Sequence, residues 1–245
     1  MITRDALLGG RVWLDQPASG YRAATDPVFL AAACPARPGE RVLDLGCGVG
    51  AAALCLHARV PGLDLHGLER DAAAAELARV NAARAVAALT VWEGDVAAPP
   101  PGLRALAFDH VIANPPYFDP EGPPSPDPAR DAARREAAPL ALWIDCALRR
   151  LRQGGWLTLI HRAARLPDIL AALGERAGAV AVKPLAAREG RDAGRVVVRA
   201  RKDSRAPFRL CAPLAAHAGA VHAGDGDDFS PQAAAILRDG APLEF

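Results

Sequence analysis

The chain has 245 residues, 51% hydrophobic and 23% charged, enough to bury a full core and better suited to one large α/β domain over 1–245 than to two small ones. With 29 Lys+Arg against 28 Asp+Glu the net charge is +1, so no overall field marks the chain for nucleic acid, and a polyanion would have to be held by a local patch. No apolar run approaches the roughly 20 residues of a bilayer span, and the opening Met1 to Gly10 lacks the basic-then-apolar order of a signal peptide, so a cytoplasmic protein is predicted.

Residues 1–39 form a segment ahead of the first core strand, expected to cover the ligand site of the core, in which Thr25-Asp26-Pro27 reads as a helix start. From 40 to 202, short β-like runs alternate with Ala/Leu-rich helical stretches, the pattern of a parallel sheet covered on both faces. Strands are predicted at Arg41 to Leu45, Leu63 to Glu69, Leu89 to Glu93, Phe108 to Ala113, Trp156 to His161, Val180 to Leu185 and Val196 to Arg201. Helices fit at Ala51 to Arg59, Ala72 to Ala85, Pro139 to Arg152, where Gly154-Gly155 punctuates the end, and Leu166 to Ala177. The proline-rich runs Ala97 to Gly102 and Pro120 to Pro128 read as loops. Over 203–245, Phe208 to Ala212 is expected to pair with Val196 to Arg201 as an antiparallel hairpin, and Ser230-Pro231 to begin a helix ending near Gly240. The fold class is therefore doubly wound α/β, Rossmann-like and seven-stranded, mostly parallel with an antiparallel hairpin at the C-terminal end.

The segment Val42-Leu43-Asp44-Leu45-Gly46-Cys47-Gly48-Val49-Gly50 puts a buried strand before a glycine-rich turn that opens a helix. The spacing G-x-G-x-G, with an acid two positions ahead of the first glycine, suits a zwitterionic amino acid better than a pyrophosphate. Asp44 can accept from an amino group, Glu69 at the next strand end from two ribose hydroxyls, and Asp95 after the third strand from an adenine amino group. Asn114-Pro115-Pro116-Tyr117 follows the fourth strand at the carboxyl edge, where such folds place their chemistry. Asn114 Oδ1 and the Pro115 carbonyl can accept the two N–H bonds of a planar amine, and Tyr117 can stack on it. Cys34, Cys47, Cys55, Cys146 and Cys211 are never spaced as C-x-x-C and the histidines show no ligand spacing, so neither a disulfide framework nor a metal site is expected.

The glycine turn, Glu69 and Gly94-Asp95 resemble the S-adenosylmethionine (SAM) motifs of class I methyltransferases. By that resemblance Asp44, Gly46, Gly48 and Gly50 hold the methionine part, Glu69 the ribose, and Asp95 with Val96 the adenine. N-P-P-Y resembles the amino-methyltransferases, which implies Asn114, Pro115, Pro116 and Tyr117 as the catalytic motif, with Asn114 also beside the cofactor.

Leu8-Gly9-Gly10-Arg11, Gln16, Gly20-Tyr21-Arg22 and Thr25 to Ala31, together with N-P-P-Y-F and the late helix, are similar to the tRNA1(Val) adenine-N6 methyltransferase family. That likeness implies tRNA as partner, an anticodon-loop adenine as acceptor, and Tyr21, Thr25 and Asp26 beside the cofactor. Thr25-Asp26 reads equally well as a plain helix cap. A lid carrying Phe118, Arg130, Arg134 and Arg135 would flank the base, and Arg199, Arg201 and Lys202 would meet phosphates. The acids Asp225, Asp227 and Asp228 run against that basic character. Two alternatives stand beside it: a release-factor glutamine methyltransferase, whose usual helical N-terminal domain has no counterpart in the roughly 40 residues before the core, and a non-catalytic SAM- or RNA-binding module. A monomer is the default expectation.

Overall fold

A strand buried on both faces needs a helix to return it parallel to its neighbour, and the chain alternates the two accordingly. The computed structural model describes residues 1–19, 22–117, 138–219 and 228–245. Tyr21, Phe118, the run Pro120 to Pro128, Arg130, Arg134, Arg135, Asp225 and Asp227 lie outside the described residues.

In chain order the strands are β1 (Ile2–Leu7), β2 (Val12–Pro17), β3 (Arg41–Leu45), β4 (Asp64–Glu69), β5 (Leu89–Glu93), β6 (Phe108–Ala113), β7 (Leu151–Arg162), β8 (Ala177–Ala186), β9 (Ala193–Lys202), β10 (Arg209–Leu210) and β11 (Leu214–Ala215). The helices are α1 (Asp26–Ala33), α2 (Ala51–Arg59), α3 (Ala72–Arg84), α4 (Pro101–Arg104), α5 (Leu140–Arg150), α6 (Leu166–Leu173) and α7 (Pro231–Asp239). Among the described residues the main sheet has nine strands, ordered β10-β8-β9-β7-β6-β3-β4-β5 with β11 also on β8. The expected seven thus gain two short additions. Only β9 runs antiparallel to its neighbours, β7 and β8.

Three expectations need correction. Residues 209–210 do not pair with β9; they lie parallel to β8 at Ala181 and Val182, because β9 is already filled on both sides by β7 and β8. The antiparallel hairpin is β8–β9. Gly154-Gly155 does not end a helix but sits inside β7, where the ladder to β6 shifts register between Phe108 and His110. A Cβ on Gly155 would stand 2.9 Å from the Asp109 carbonyl oxygen, so the glycine lets the two backbones meet. Within residues 1–39, expected as a segment covering the cofactor, β1 and β2 form a separate antiparallel hairpin that the sequence reading did not include.

Asn81 fastens that hairpin to the core. Fully buried on α3, it accepts from the Asp15 N–H at 2.8 Å and donates to the carbonyls of Asp15 and Val49, both at 3.0 Å. A buried amide with its donors and acceptor matched costs little and fixes register. On one face of the sheet α1 is buried along its whole length from Pro27 to Ala33 against α2, while Leu140, Trp143, Ile144, Ala147 and Leu148 of α5 cover the other. At α7, Ser230 Oγ accepts the Ala233 N–H at 3.2 Å and Gly240 closes the helix at φ 72°. Cys34, Cys47, Cys55 and Cys146 are buried, whereas Cys211 is half-buried. No helix among the described residues is long and apolar enough to cross a membrane.

The late basic residues of β9 point into local structure. The Arg199 guanidinium lies 5.2 Å from the Trp156 ring centre and 4.6 Å from that of Phe245. Arg201 Nε donates to the Gly154 carbonyl at 3.0 Å and Lys202 Nζ to that of Leu151 at 2.7 Å. Because β9 runs against β7, Arg201 opposite Trp156 and Lys202 beyond it lie toward the amino edge of the parallel strands, Arg199 opposite Thr158 lies in the body of the sheet, and Arg195 is opposite Arg162. Arg199→Ala is expected to remove about 1–2 kcal/mol of stability in urea unfolding, while ligand affinity at the cavity stays within about twofold, since Arg199 is outside its lining.

Candidate active site

Parallel strands deliver their carboxyl ends to one edge, so residues far apart in sequence converge there. A cavity of about 940 Å³ opens at that edge, lined by Gly46, Gly48, Glu69, Asp95, Val96 and the tetrapeptide Asn114 to Tyr117, and covered by Gln16 and residues 22–27.

The turn after β3 folds back on the end of β4, where the N–H groups of Gly46 and Cys47 both donate to the Leu68 carbonyl, at 2.8 and 3.1 Å. Gly46 and Gly48 are left-handed, at φ 67° and 54°. Their needs differ. A Cβ on Gly46 would sit 2.5 Å from Trp143 Cη2, whereas at Gly48 nothing lies within 4 Å and the space belongs to the cavity. Gly50, at φ 89°, faces Ala78, Leu54 and Leu89, outside the lining.

Glu69 Oε2 accepts the Gly48 N–H at 2.8 Å and Oε1 the Asp71 N–H at 2.9 Å, which fixes the carboxylate and still leaves lone pairs for hydroxyls. Asp95 Oδ1 accepts the Ala97 N–H at 2.8 Å and holds the following loop in place. Asp44 stands behind the lining. It is buried, its Oδ2 accepts the Ala53 N–H at 3.2 Å in the first turn of α2, and burial, reinforced by the charge of Glu69 and opposed by that N–H, pushes its carboxyl up to about 8.

At the other end of the cavity Tyr117 is held on three sides. Its hydroxyl is 2.7 Å from Asp26 Oδ2 and 2.6 Å from Asn114 Oδ1. The Arg195 guanidinium lies 4.6 Å above the ring, with Nε 3.2 Å from the same Asp26 oxygen. His161, fully buried on β7, meets the ring edge-on at 5.0 Å, and burial pushes its imidazole down to about 4, so it is neutral at pH 7. Thr25 heads α1 without a side-chain capping bond, and the Asp26 carboxylate is turned to Tyr117 instead. The helix-cap reading of this pair is therefore not what the structure has.

Trp143, a core residue by type, is buried in the core and also reaches the lining, whereas sequence reasoning found no sign of Arg162 and Arg195 there and no role for Gln16. Gln16 is 2% exposed, accepts the Ala23 N–H at 3.0 Å and donates to Asp5 at 2.9 Å, fixing the strap over the cavity. Its signal was readable: Val12, Leu14 and Gln16 share the inward face of β2, and a polar residue there needs partners. Nothing local marks Arg195, which only the antiparallel pairing of β9 brings opposite Arg162. Among the described residues no three His, Cys, Asp or Glu side chains are grouped to hold a metal ion.

A doubly wound sheet with an antiparallel last pair, a glycine turn after its first parallel strand and N-P-P-Y after its fourth defines a Rossmann-like methyltransferase. Residues 24–182 match the family model described as the methyltransferase small domain, and the chain belongs to that family. A Porphyromonas gingivalis protein described as tRNA1(Val) (adenine(37)-N6)-methyltransferase is 35% identical over 167 residues, 64% of each chain, so this chain spans just under two thirds of that relative. An Aeromonas hydrophila protein of the same description is 31% identical over 191 residues, 76% of this chain and 79% of its own. The crystal structure of an Agrobacterium tumefaciens protein described as a predicted O-methyltransferase superposes with a TM-score of 0.71 at 31% identity, covering 89% of this chain and 98% of that one.

The raised carboxyl of Asp44 has a sign that can be tested on the ligand-free protein. Between the unfolded value near 4 and the folded value of about 8, the folded state holds a proton that the unfolded state has lost, so stability falls as pH rises through that window. Asp44→Asn should flatten this slope and, relative to wild type, gain more than about 1.4 kcal/mol between pH 5 and pH 8, read by chemical denaturation at each pH; an unchanged slope would mean that Asp44 ionises freely in place.

Proposed function

We propose that the chain is a SAM-dependent N-methyltransferase whose acceptor is adenine N6 in the anticodon loop of a valine-type tRNA. The observation that carries this reading is the N-P-P-Y tetrapeptide clamped at one end of a cavity whose other end is formed by the glycine turn and Glu69. The descriptions of the Porphyromonas and Aeromonas relatives support the tRNA acceptor.

The residues present suit SAM. Gly48 leaves open space where the methionine part would approach, Glu69 has lone pairs left for ribose hydroxyls, and Asp95 with Val96 stands where an adenine would lie. Asp44, buried behind the lining, would sense a ligand ammonium in the cavity only through the turn, and a positive charge there would favour its ionised form. When bound, SAM supplies a methyl group on a sulfonium sulfur that departs with the electron pair of the broken bond. Asn114 and the Pro115 carbonyl accept the two N–H bonds of the target amine and aim its lone pair, so bound geometry does much of the work. Tyr117 presents its ring to the base and keeps water out, with Arg195 on the ring's other side.

We assign phosphate contact at this edge to Arg162 together with Arg195, because both line the cavity, in addition to Arg199, Arg201 and Lys202. An anticodon-loop base is already largely unpaired, so drawing it into the cavity costs less than from a duplex.

The test is transfer of labelled methyl from SAM to bulk tRNA from a strain lacking the enzyme, followed by nucleoside analysis. Labelled N6-methyladenosine is expected, with Asn114→Ala lowering the rate by about 10²–10³ while SAM affinity changes little. Label in a release-factor protein and none in tRNA would make the acceptor a glutamine amide, and SAM binding with no transfer would make the chain a binding module. Arg162→Ala is expected to weaken tRNA binding and reduce its salt dependence by about one counterion; an unchanged salt slope would remove Arg162 from the phosphate path.

A further inference from the structure

Tyr117 carries one hydroxyl proton and has two oxygen neighbours, Asp26 Oδ2 at 2.7 Å and Asn114 Oδ1 at 2.6 Å. One proton serves one of them. A carboxylate is the stronger acceptor, and Arg195 holds this one from the other side at 3.2 Å. An amide differs from a carboxylate in having a donor to offer: half a turn about its last bond exchanges Oδ1 for Nδ2 without moving the group.

We propose that Asp26 is a positioning residue that sets the orientation of the Asn114 amide through the Tyr117 hydroxyl. With the phenol proton given to Asp26, the phenol oxygen is left as an acceptor. The Asn114 –NH2 then donates to it, and Oδ1 turns to the cavity, where it accepts an N–H of the target amine. Each bond in the chain from Asn114 to Tyr117 to Asp26 runs in one direction, fixed by the carboxylate at its end. The inference rests on the N-methyl reading above and deepens it: a site polarised this way presents an acceptor to its substrate and favours an –NH2 donor over a carbonyl. It also makes the strap that carries Asp26 part of the chemistry, since this carboxylate joins α1 both to the N-P-P-Y loop and to β9.

Asn114, Asp26, Arg195 and the neutral His161 are among the groups that face Tyr117. The sequence contains two tyrosines, so the tyrosinate absorbance of wild type minus that of Tyr117→Phe isolates this phenol. In wild type the Asp26 charge and the bond it accepts hold the phenol protonated, so Asp26→Asn should lower the Tyr117 titration midpoint by about one pH unit or more. An unmoved midpoint overturns the inference, whatever the acceptor proves to be.

The second arm measures labelled methyl transfer to tRNA at saturating SAM, with thermal midpoints as a folding control. Asp26→Asn and Tyr117→Phe are each expected to lower kcat about 10- to 100-fold with SAM Kd within about threefold, and the double variant should be no slower than the slower single, because both break one chain. Asp26→Asn that raises SAM Kd tenfold and leaves kcat intact would make Asp26 a cofactor ligand, and losses that multiply in the double variant would make the two residues independent; either result sinks the proposal. Wild-type protein that methylates no tRNA removes the tRNA reading alone, and the titration then decides the position of the proton.

Discussion

The turn between β3 and α2 is the contact on which the rest of the site depends. Two successive N–H groups, from Gly46 and Cys47, share the Leu68 carbonyl, and the indole of Trp143 closes on the space that a Gly46 side chain would need. Gly67 makes room from the other side, since a Cβ there would stand 2.6 Å from Cys47 Sγ. Because each neighbour occupies volume left by a missing side chain, the turn tolerates little displacement. It brings the Gly48 N–H onto Glu69 and starts α2 where the Ala53 N–H meets Asp44. Cavity floor, acidic rim and buried acid are thereby placed in one step.

Above that floor the N-terminal residues act as a strap. The β1–β2 hairpin is held by Asn81 from below and by Gln16, Asp5 and Arg22 along its own length, with Arg22 paired to Asp5 at 2.7 Å. These bonds are partly exposed and individually modest, yet they keep residues 22–27 over the cavity. Asp26 is delivered by the strap and Tyr117 by the loop after β6, so neither segment alone completes the site. Both signs of charge line the cavity, Glu69 and Asp95 with the glycine turn, and Arg162 and Arg195 with the N-P-P-Y loop.

The parts legible in the sequence share a physical trait: each is governed by residues close together in the chain. The bounds of β3, β5, β6 and α2 were read to the residue because apolar runs there are short and bracketed by glycine, proline or charge. Seven core strands and their mostly parallel order followed from alternation alone. The partner of residues 209–210 was misjudged because strand pairing depends on which edges are already filled, and composition does not encode that. Arg199 and Arg201 were named for RNA by residue type, and what type alone did not show is their packing, Arg199 between Trp156 and Phe245 and Arg201 on the Gly154 carbonyl.

The sequence by itself determined the doubly wound class, the glycine turn, the acidic strand ends and the N-P-P-Y tetrapeptide, since these follow from hydrophobic period and from chemistry carried within a few consecutive residues. Only the tertiary structure decided that Asp26 faces Tyr117 across 91 positions, that Arg195 covers the same ring, and that Asp44 lies behind the cavity where burial pushes its carboxyl up. Contacts of that kind depend on how strands pair and how deeply a group is buried, and both are properties of the packed whole.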